Sequence, residues 1–216
     1  ATAVDPLRAC NRRADRELFS WQFLAQGGRD VSLTSGITLE TKDIADFTGD
    51  LLILIAGFGL EQHSTPSLAA ALRRVVADGT HLWGVDGGSW VMAQTGLLNG
   101  HRATCHWEDA EAFARHFSAV NLVPDRYTIS GPFATTGGAS PCIDLMLHLI
   151  TSRHGRALSE RVAAAFIYDP IHAGEAPQQM IATTRIAAKH PRIARILKQM
   201  ENLLDSPPTI GTLSLI

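Results

Sequence analysis

Residues 51–60 read LLILIAGFGL and residues 81–96 read HLWGVDGGSWVMAQTG. Each opens with an apolar run of strand length that stops at glycine, the pattern of a strand buried on both faces and followed by a turn. Between them, Pro66 to Ala77 sets Leu68, Leu72, Val75 and Val76 at helical spacing and ends at Asp78-Gly79. The second strand breaks at Asp86-Gly87-Gly88, and a short helix is expected from about Ser89 to Thr95, stopped by Gly96. Strand, helix, strand, helix is the order of an α/β protein with a parallel sheet.

Working outward, residues 3–13 read as a helix and residues 18–25 as a strand, with Leu18, Trp21 and Phe23 apolar. A β-α-β unit starts with a strand, so one is expected ahead of the first helix, before Ala1. Downstream, Arg102 to His106 and Tyr127 to Ser130 are strand candidates around a helical stretch from Asp109 to Phe117. Ser140-Pro141 offers an N-cap with proline at the first helical position, opening an apolar helix through Ile150. A further helix is expected over about Ser159 to Tyr168, then a loop of small residues from His172 to Pro177. Residues 183–204 again read as helical. They carry Arg185, Lys189, Arg192, Arg195 and Lys198, an apolar stripe including Ile196, Met200 and Leu203, and a stop at Ser206-Pro207-Pro208.

The 216 residues suit one large domain or a domain plus a fragment, at about 100 to 200 residues per domain. Hydrophobic residues at 45% and charged residues at 19% exclude a disordered or collagen-like chain. Nineteen Lys plus Arg against twenty-one Asp plus Glu leave a net charge of −2, without the basic surplus of a self-sufficient DNA-binding domain. Cys10, Cys105 and Cys142 are odd in number and share no close spacing, which argues against a disulfide framework or zinc site and fits a reducing cytoplasm. No apolar run approaches the roughly 18 residues needed to span a bilayer. Nothing in the pattern implies a metal or an organic cofactor, and none is expected.

Chemistry concentrates at Asp86. A sharp glycine-flanked strand-to-helix turn lifts one side chain above the carboxyl ends of parallel strands, where α/β proteins bind ligands. Helix amides beneath it would favour an ionised carboxylate. The same position also suits a plain N-cap.

The stretch GVDGGSWVMAQTGLLNGHRATCHWED, residues 84–109, resembles the elbow-to-strand region of the ThiJ/PfpI, class I glutamine amidotransferase-like superfamily. More narrowly, it is similar to the N-terminal sensor domains of AraC-family transcription regulators. DPLRACN near the start, GPFATTGGASPCIDLMLHLI at 131–150 and LKQMENLLDSPPTI at 197–210 extend the likeness over nearly the whole chain. The resemblance implies a flavodoxin-like three-layer α/β sandwich with a central, mostly parallel sheet and helices on both faces. It divides the chain into a ligand-sensing domain over 1–178, lacking its first strand, and a linker with the opening helix of an AraC-type helix-turn-helix domain over 179–216.

In enzymes of this superfamily the elbow carries a cysteine, paired with a histidine on the next strand and an acidic residue from the first helix. The matching positions here are Asp86, His106 and Asp5. A carboxylate is a far weaker nucleophile than a thiolate, so the resemblance implies a sensor and no thiol catalysis. No other cysteine is placed to substitute, and all three read as buried structural thiols. The alternative is a ThiJ/PfpI-class hydrolase or amidotransferase-like enzyme using Asp86 and His106. The expected ligand site comprises Asp5, Gly57, Phe58, Asp86, Gly87, His106, Trp107 and Thr136, with Trp107 as an aromatic wall or a core residue. Its acidic and amide faces suit an amine or amino-acid-like effector. DNA bound through the helix-turn-helix domain, and a second copy in a homodimer, are the other expected partners; no membrane is.

Overall fold

The computed structural model describes residues 2–57, 59–60, 64–169, 171–176, 178, 193, 195 and 196. Four strands make its central sheet: β1, Leu51–Ala56; β2, His81–Asp86; β3, Tyr127–Ser130; and β4, Phe133–Thr136. Their spatial order is β1-β2-β4-β3, with β1, β2 and β4 parallel and β3 antiparallel to β4. Six α-helices are described: α1, Asp5–Ala14; α2, Pro66–Ala77; α3, Gly88–Gln94; α4, Ala110–His116; α5, Ala139–His154; and α6, Arg156–Ala165.

Successive side chains of a strand point to opposite faces, and β2 shows what that does to a continuous apolar run. Trp83 and Val85 enter one core with Leu7 and Cys10 of α1, Met146 and Ile150 of α5 and Val162 of α6. Leu82 enters the other, with Leu72 and Val75 of α2, Val91 and Met92 of α3 and Phe113 of α4. The result is the expected three-layer α/β sandwich. Each fully buried Leu, Val or Met contributes roughly 1.5 to 3 kcal/mol to holding its layer against the sheet.

The expectation of burial on both faces holds fully for β2 and in part for β1, whose Leu51 and Ile53 pack against one core and Leu52 and Leu54 against the other. Among the described residues β1 pairs only with β2 and forms an edge, and Ile55 near its end is 60% exposed.

The 18–25 segment is a strand only at Leu24–Ala25, paired with Lys42–Asp43. Its earlier part is held instead by one side chain: Asn11 Oδ1 accepts from the amides of Leu18 and Phe19 at 2.9 and 3.0 Å, and Asn11 Nδ2 donates to Phe19 O at 2.6 Å. That amide takes the place of a strand ladder. The strand expected over 102–106 shrinks to Arg102–Ala103, because His106 turns the chain into a 3-10 segment. α5 starts at Ala139 with Gly138 as its N-cap, so Ser140 lies inside the helix. Its hydroxyl accepts from Arg126 at 3.0 Å and does not cap.

β4 was not anticipated. The sequence pattern assigns no element to its Phe-Ala-Thr-Thr, yet all four residues are buried between β2 and β3. Gly131-Pro132 between two short β-prone runs was the available hairpin signal. A small pairing of Val31–Ser32 with Thr38–Leu39 was also missed.

No helix among the described residues is long and apolar enough to cross a membrane. The chain divides into two compact units, Ala1–Gln178 and Gln179–Ile216. The helix expected over 183–204 lies outside the described residues except at 193, 195 and 196, which are helical.

Candidate functional site

β2 ends at Asp86 and α3 begins at Gly88, so the reversal is made within about one residue. Asp86 is held at φ 57°, in the left-handed region. That conformation costs a non-glycine residue roughly 1 to 2 kcal/mol, least for Asp and Asn. The surroundings impose it. The Gly87 amide donates to Ala56 O at 2.8 Å and Ser89 Oγ donates to Asp86 O at 2.9 Å. A Cβ on Gly88 would collide with the Leu54 carbonyl, and one on Gly84 would lie 2.7 Å from Met92 Sδ and 2.8 Å from the Ser89 amide. Only glycine lets α3 close this tightly on the strand.

The Asp86 side chain is left over from this construction. The N-cap position is Gly87 and no side chain caps α3, so the simple capping role does not apply. No described group hydrogen-bonds to the Asp86 carboxylate; its backbone carbonyl accepts from Ser89 Oγ. Burial pushes the carboxyl above its ordinary pKa, His106 pulls it down, and Asp109 raises it further. The helix amides expected to favour the anion do not overcome the desolvation.

The structure brings several of the expected residues to this end of the sheet. His106 lies close enough to act on Asp86 electrostatically. Its Nδ1 accepts from the Glu108 amide at 3.4 Å and sits 3.7 Å from the Glu108 carboxylate, and its ring lies 5.7 Å from that of Trp107. Trp107 is 49% exposed, which excludes the core role and leaves an aromatic surface beside His106. Thr136 ends β4 opposite Val85, is fully buried, and donates to Gly138 O at 3.4 Å. Gly57 follows Ala56, the register partner of Asp86, and is exposed. Phe58 lies outside the described residues.

Two expected members behave differently. The Gly87 amide is already committed to Ala56 and is not free for a ligand. Asp5 accepts from Arg8 Nε at 3.1 Å on the surface of α1, and no described contact joins it to Asp86 or His106. All three cysteines are free and buried. Burial pushes the Cys105 thiol up to about 12 and the Cys142 thiol up to about 11, and it raises Cys10 as well. Thiols this reluctant to ionise are poor nucleophiles. Among the described residues no cluster of His, Cys, Asp and Glu is arranged to hold a metal ion. A cleft of about 340 Å³ lies beyond β3, between Arg102, Asp125, Tyr127, His148 and Glu175, and none of the expected site residues lines it.

Sequence reading missed a buried polar cluster behind β4. Arg126, 4% exposed, donates from Nε to Asp144 Oδ2 at 2.9 Å, and its Nη2 lies 2.8 Å from the same oxygen. Asp144 is fully buried and its Oδ1 accepts from the His172 amide at 2.9 Å. The signal was present: Asp144 is the only Asp, Glu, Lys or Arg in the apolar run Pro141 to Ile150.

A mostly parallel α/β sheet between helical layers is a fold shared with solved ThiJ/PfpI and DJ-1 proteins. The chain shares it with a ThiJ/PfpI family protein from Pseudomonas syringae, at TM-score 0.62 and 21% identity over 90% of this chain and 85% of that one. It also matches the crystal structure of an AraC family transcriptional regulator from Pseudomonas putida, at TM-score 0.65 and 22% identity over 76% of this chain and 90% of that one. In sequence, the HTH-type transcriptional regulator CdhR of Pseudomonas aeruginosa is 33% identical over 210 residues, which are 96% of this chain and 62% of the relative. The chain is thus a homologue of HTH-type transcriptional regulators, and it has the fold of solved ThiJ/PfpI proteins. It spans about three fifths of the length of the curated relatives it matches. No family model matches it.

Proposed function

We propose that residues 1–178 form the ligand-sensing unit of a transcriptional regulator, with residues 179–216 leading into a helix-turn-helix domain that reads DNA. The effector is a small amine or amino-acid-like molecule bound at the carboxyl end of the sheet. The observation that carries this reading is Asp86: a carboxylate held in a strained turn, partly desolvated, with no described hydrogen-bond partner. A charge kept in that condition is stabilised by a cationic ligand. Trp107 and His106 add aromatic surface for the cation, and Gly57 and Thr136 stand at the neighbouring strand ends. Effector binding acts by shifting the population between two arrangements of a homodimer, and so of its DNA readers.

The enzyme alternative requires His106 to serve Asp86 as a proton acceptor or donor. No hydrogen bond among the described residues joins His106 to the Asp86 carboxylate, which favours the sensor. Calorimetry of the chain against a panel of amino acids and amines tests the reading. Binding by at least one compound, weakened about tenfold or more in Asp86→Ala, is the expected result; this corresponds to about 1.4 kcal/mol. Binding unaffected by Asp86→Ala, or turnover of aldehyde or amide substrates that Asp86→Asn abolishes, would overturn it.

A further inference from the structure

The last residue of the first unit occupies a polar cradle beside His106. Gln178 Nε2 donates to Thr104 Oγ1 at 2.8 Å, to Cys105 O at 2.8 Å and to Asp125 O at 2.9 Å. The orientation of the amide follows from its partners. Two are carbonyl oxygens, and the Thr104 hydroxyl hydrogen is already given to Asp125 O at 2.8 Å, so all three present lone pairs. The cradle is rigid: the Thr104 amide donates to Thr135 Oγ1 at 2.7 Å, and Thr135 is tied to Thr128 at 2.8 Å.

A carboxamide nitrogen has two hydrogens and the cradle offers three acceptors, so Gln178 is one donor short. A primary ammonium carries three. Gly137 completes the fit, since a Cβ there would strike the Gln178 carboxamide and no backbone atom is among the nearest contacts. The place lies at the candidate site: Cys105 precedes His106, and a Cβ on Gly138 would sit 3.5 Å from His106 Cδ2. The segment that delivers Gln178 is pinned on its way, with the His172 amide on Asp144 and the Arg126 amide donating to Gly174 O and Ala176 O at 2.8 and 3.0 Å.

We propose that Thr104 Oγ1, Cys105 O and Asp125 O form a subsite for a primary ammonium group, and that Gln178 fills it as an internal stand-in that a ligand ammonium displaces. Displacement frees the residue at the junction with 179–216, which makes the same contact a link between ligand and the second unit. The link rests on the sensing role proposed above; the subsite does not. Because the cradle recognises N–H donors, it selects primary amines over quaternary ones.

The test uses the full chain with methylammonium and tetramethylammonium chloride at matched ionic strength, read by NMR of the glutamine side-chain amides, with Gln178→Ala assigning the Gln178 signal. Methylammonium shifts that signal saturably and tetramethylammonium does not. Gln178→Ala binds methylammonium about tenfold more tightly, as expected on removing an occupant present about nine-tenths of the time. Gly137→Ala, whose added methyl fills the cradle, releases the Gln178 signal and loses the binding. Equal responses to the two ions, or a Gln178→Ala affinity equal to that of the unaltered chain, would overturn the subsite. Amino-acid binding that depends on Asp86 but ignores Gln178→Ala also removes the subsite and leaves the sensing role standing. Methylammonium bound in the cradle while the whole amino-acid panel fails does the reverse.

Discussion

Asp86, at the end of β2, and Asp144, inside α5, are treated in opposite ways. Asp144 is fully buried, and both of its oxygens are engaged, one by the Arg126 guanidinium and one by the His172 amide. Asp86 is partly buried, and its carboxylate has no described hydrogen bond. A buried ion pair adds little net stability but is costly to break, because the survivor keeps its desolvation without its partner. An unpartnered carboxylate at a surface crevice costs less and stays available. The chain encloses one charge completely and leaves the other for something outside itself.

Breaking the closed region should give the largest effect. Arg126→Met, which strands Asp144, is expected to lower unfolding stability by about 3 to 5 kcal/mol in urea denaturation. Adding Asp144→Leu should recover most of that loss, and if the double variant is as unstable as the single one, the pair is not the cause. Next comes the elbow backbone. Gly88→Ala drives a methyl into the Leu54 carbonyl and should cost about 1 to 3 kcal/mol by the same assay, the range for overpacking.

The elbow carboxylate predicts a smaller effect with a defined pH dependence. Its pKa is raised on folding, so the native state binds a proton more readily than the unfolded chain and the burial cost is fully felt only above the raised value. Asp86→Asn, which keeps the tolerance for a left-handed backbone, should therefore melt higher than the unaltered chain at neutral pH. The gain should shrink as pH falls through the raised pKa and vanish below the ordinary carboxylate range. A gain that persists in acid would mean that desolvation of the carboxylate is not its source. The smallest effect belongs to Asp5→Asn. With Asp5 half exposed and turned to Arg8, ligand affinity in calorimetry should stay within about twofold, which is under 0.5 kcal/mol. A larger loss would bring α1 into the site.

What the sequence made legible tracks how local the cause is. β2, its elbow and α2 are written in contiguous residues: an apolar run, a pair of glycines, a proline after Thr65. β4 is not, because Phe-Ala-Thr-Thr is buried only by virtue of lying between β2 and β3, and neither neighbour is adjacent to it in a readable pattern except across Gly131-Pro132. The strand expected at 18–25 is shortened for a similar reason, since the Asn11 amide from α1 engages the backbone of Leu18 and Phe19. At the site, Asp86, His106 and Thr136 were reachable from the elbow and its resemblance. The Gln178 cradle was not, because it needs three oxygens from Thr104, Cys105 and Asp125, more than fifty positions away along the chain.

A backbone fixed at φ 57° also governs what can follow Asp86 in descent. Glycine and asparagine can replace it without a new clash, whereas valine, isoleucine and threonine are barred by their branching. Lineages that inherit this elbow can thus trade an acid for an amide or for bare backbone in one substitution and leave every layer of the sandwich untouched. Under the sensing role proposed above, a single change at the elbow alters what the pocket answers to and leaves the packing of the sandwich as it is.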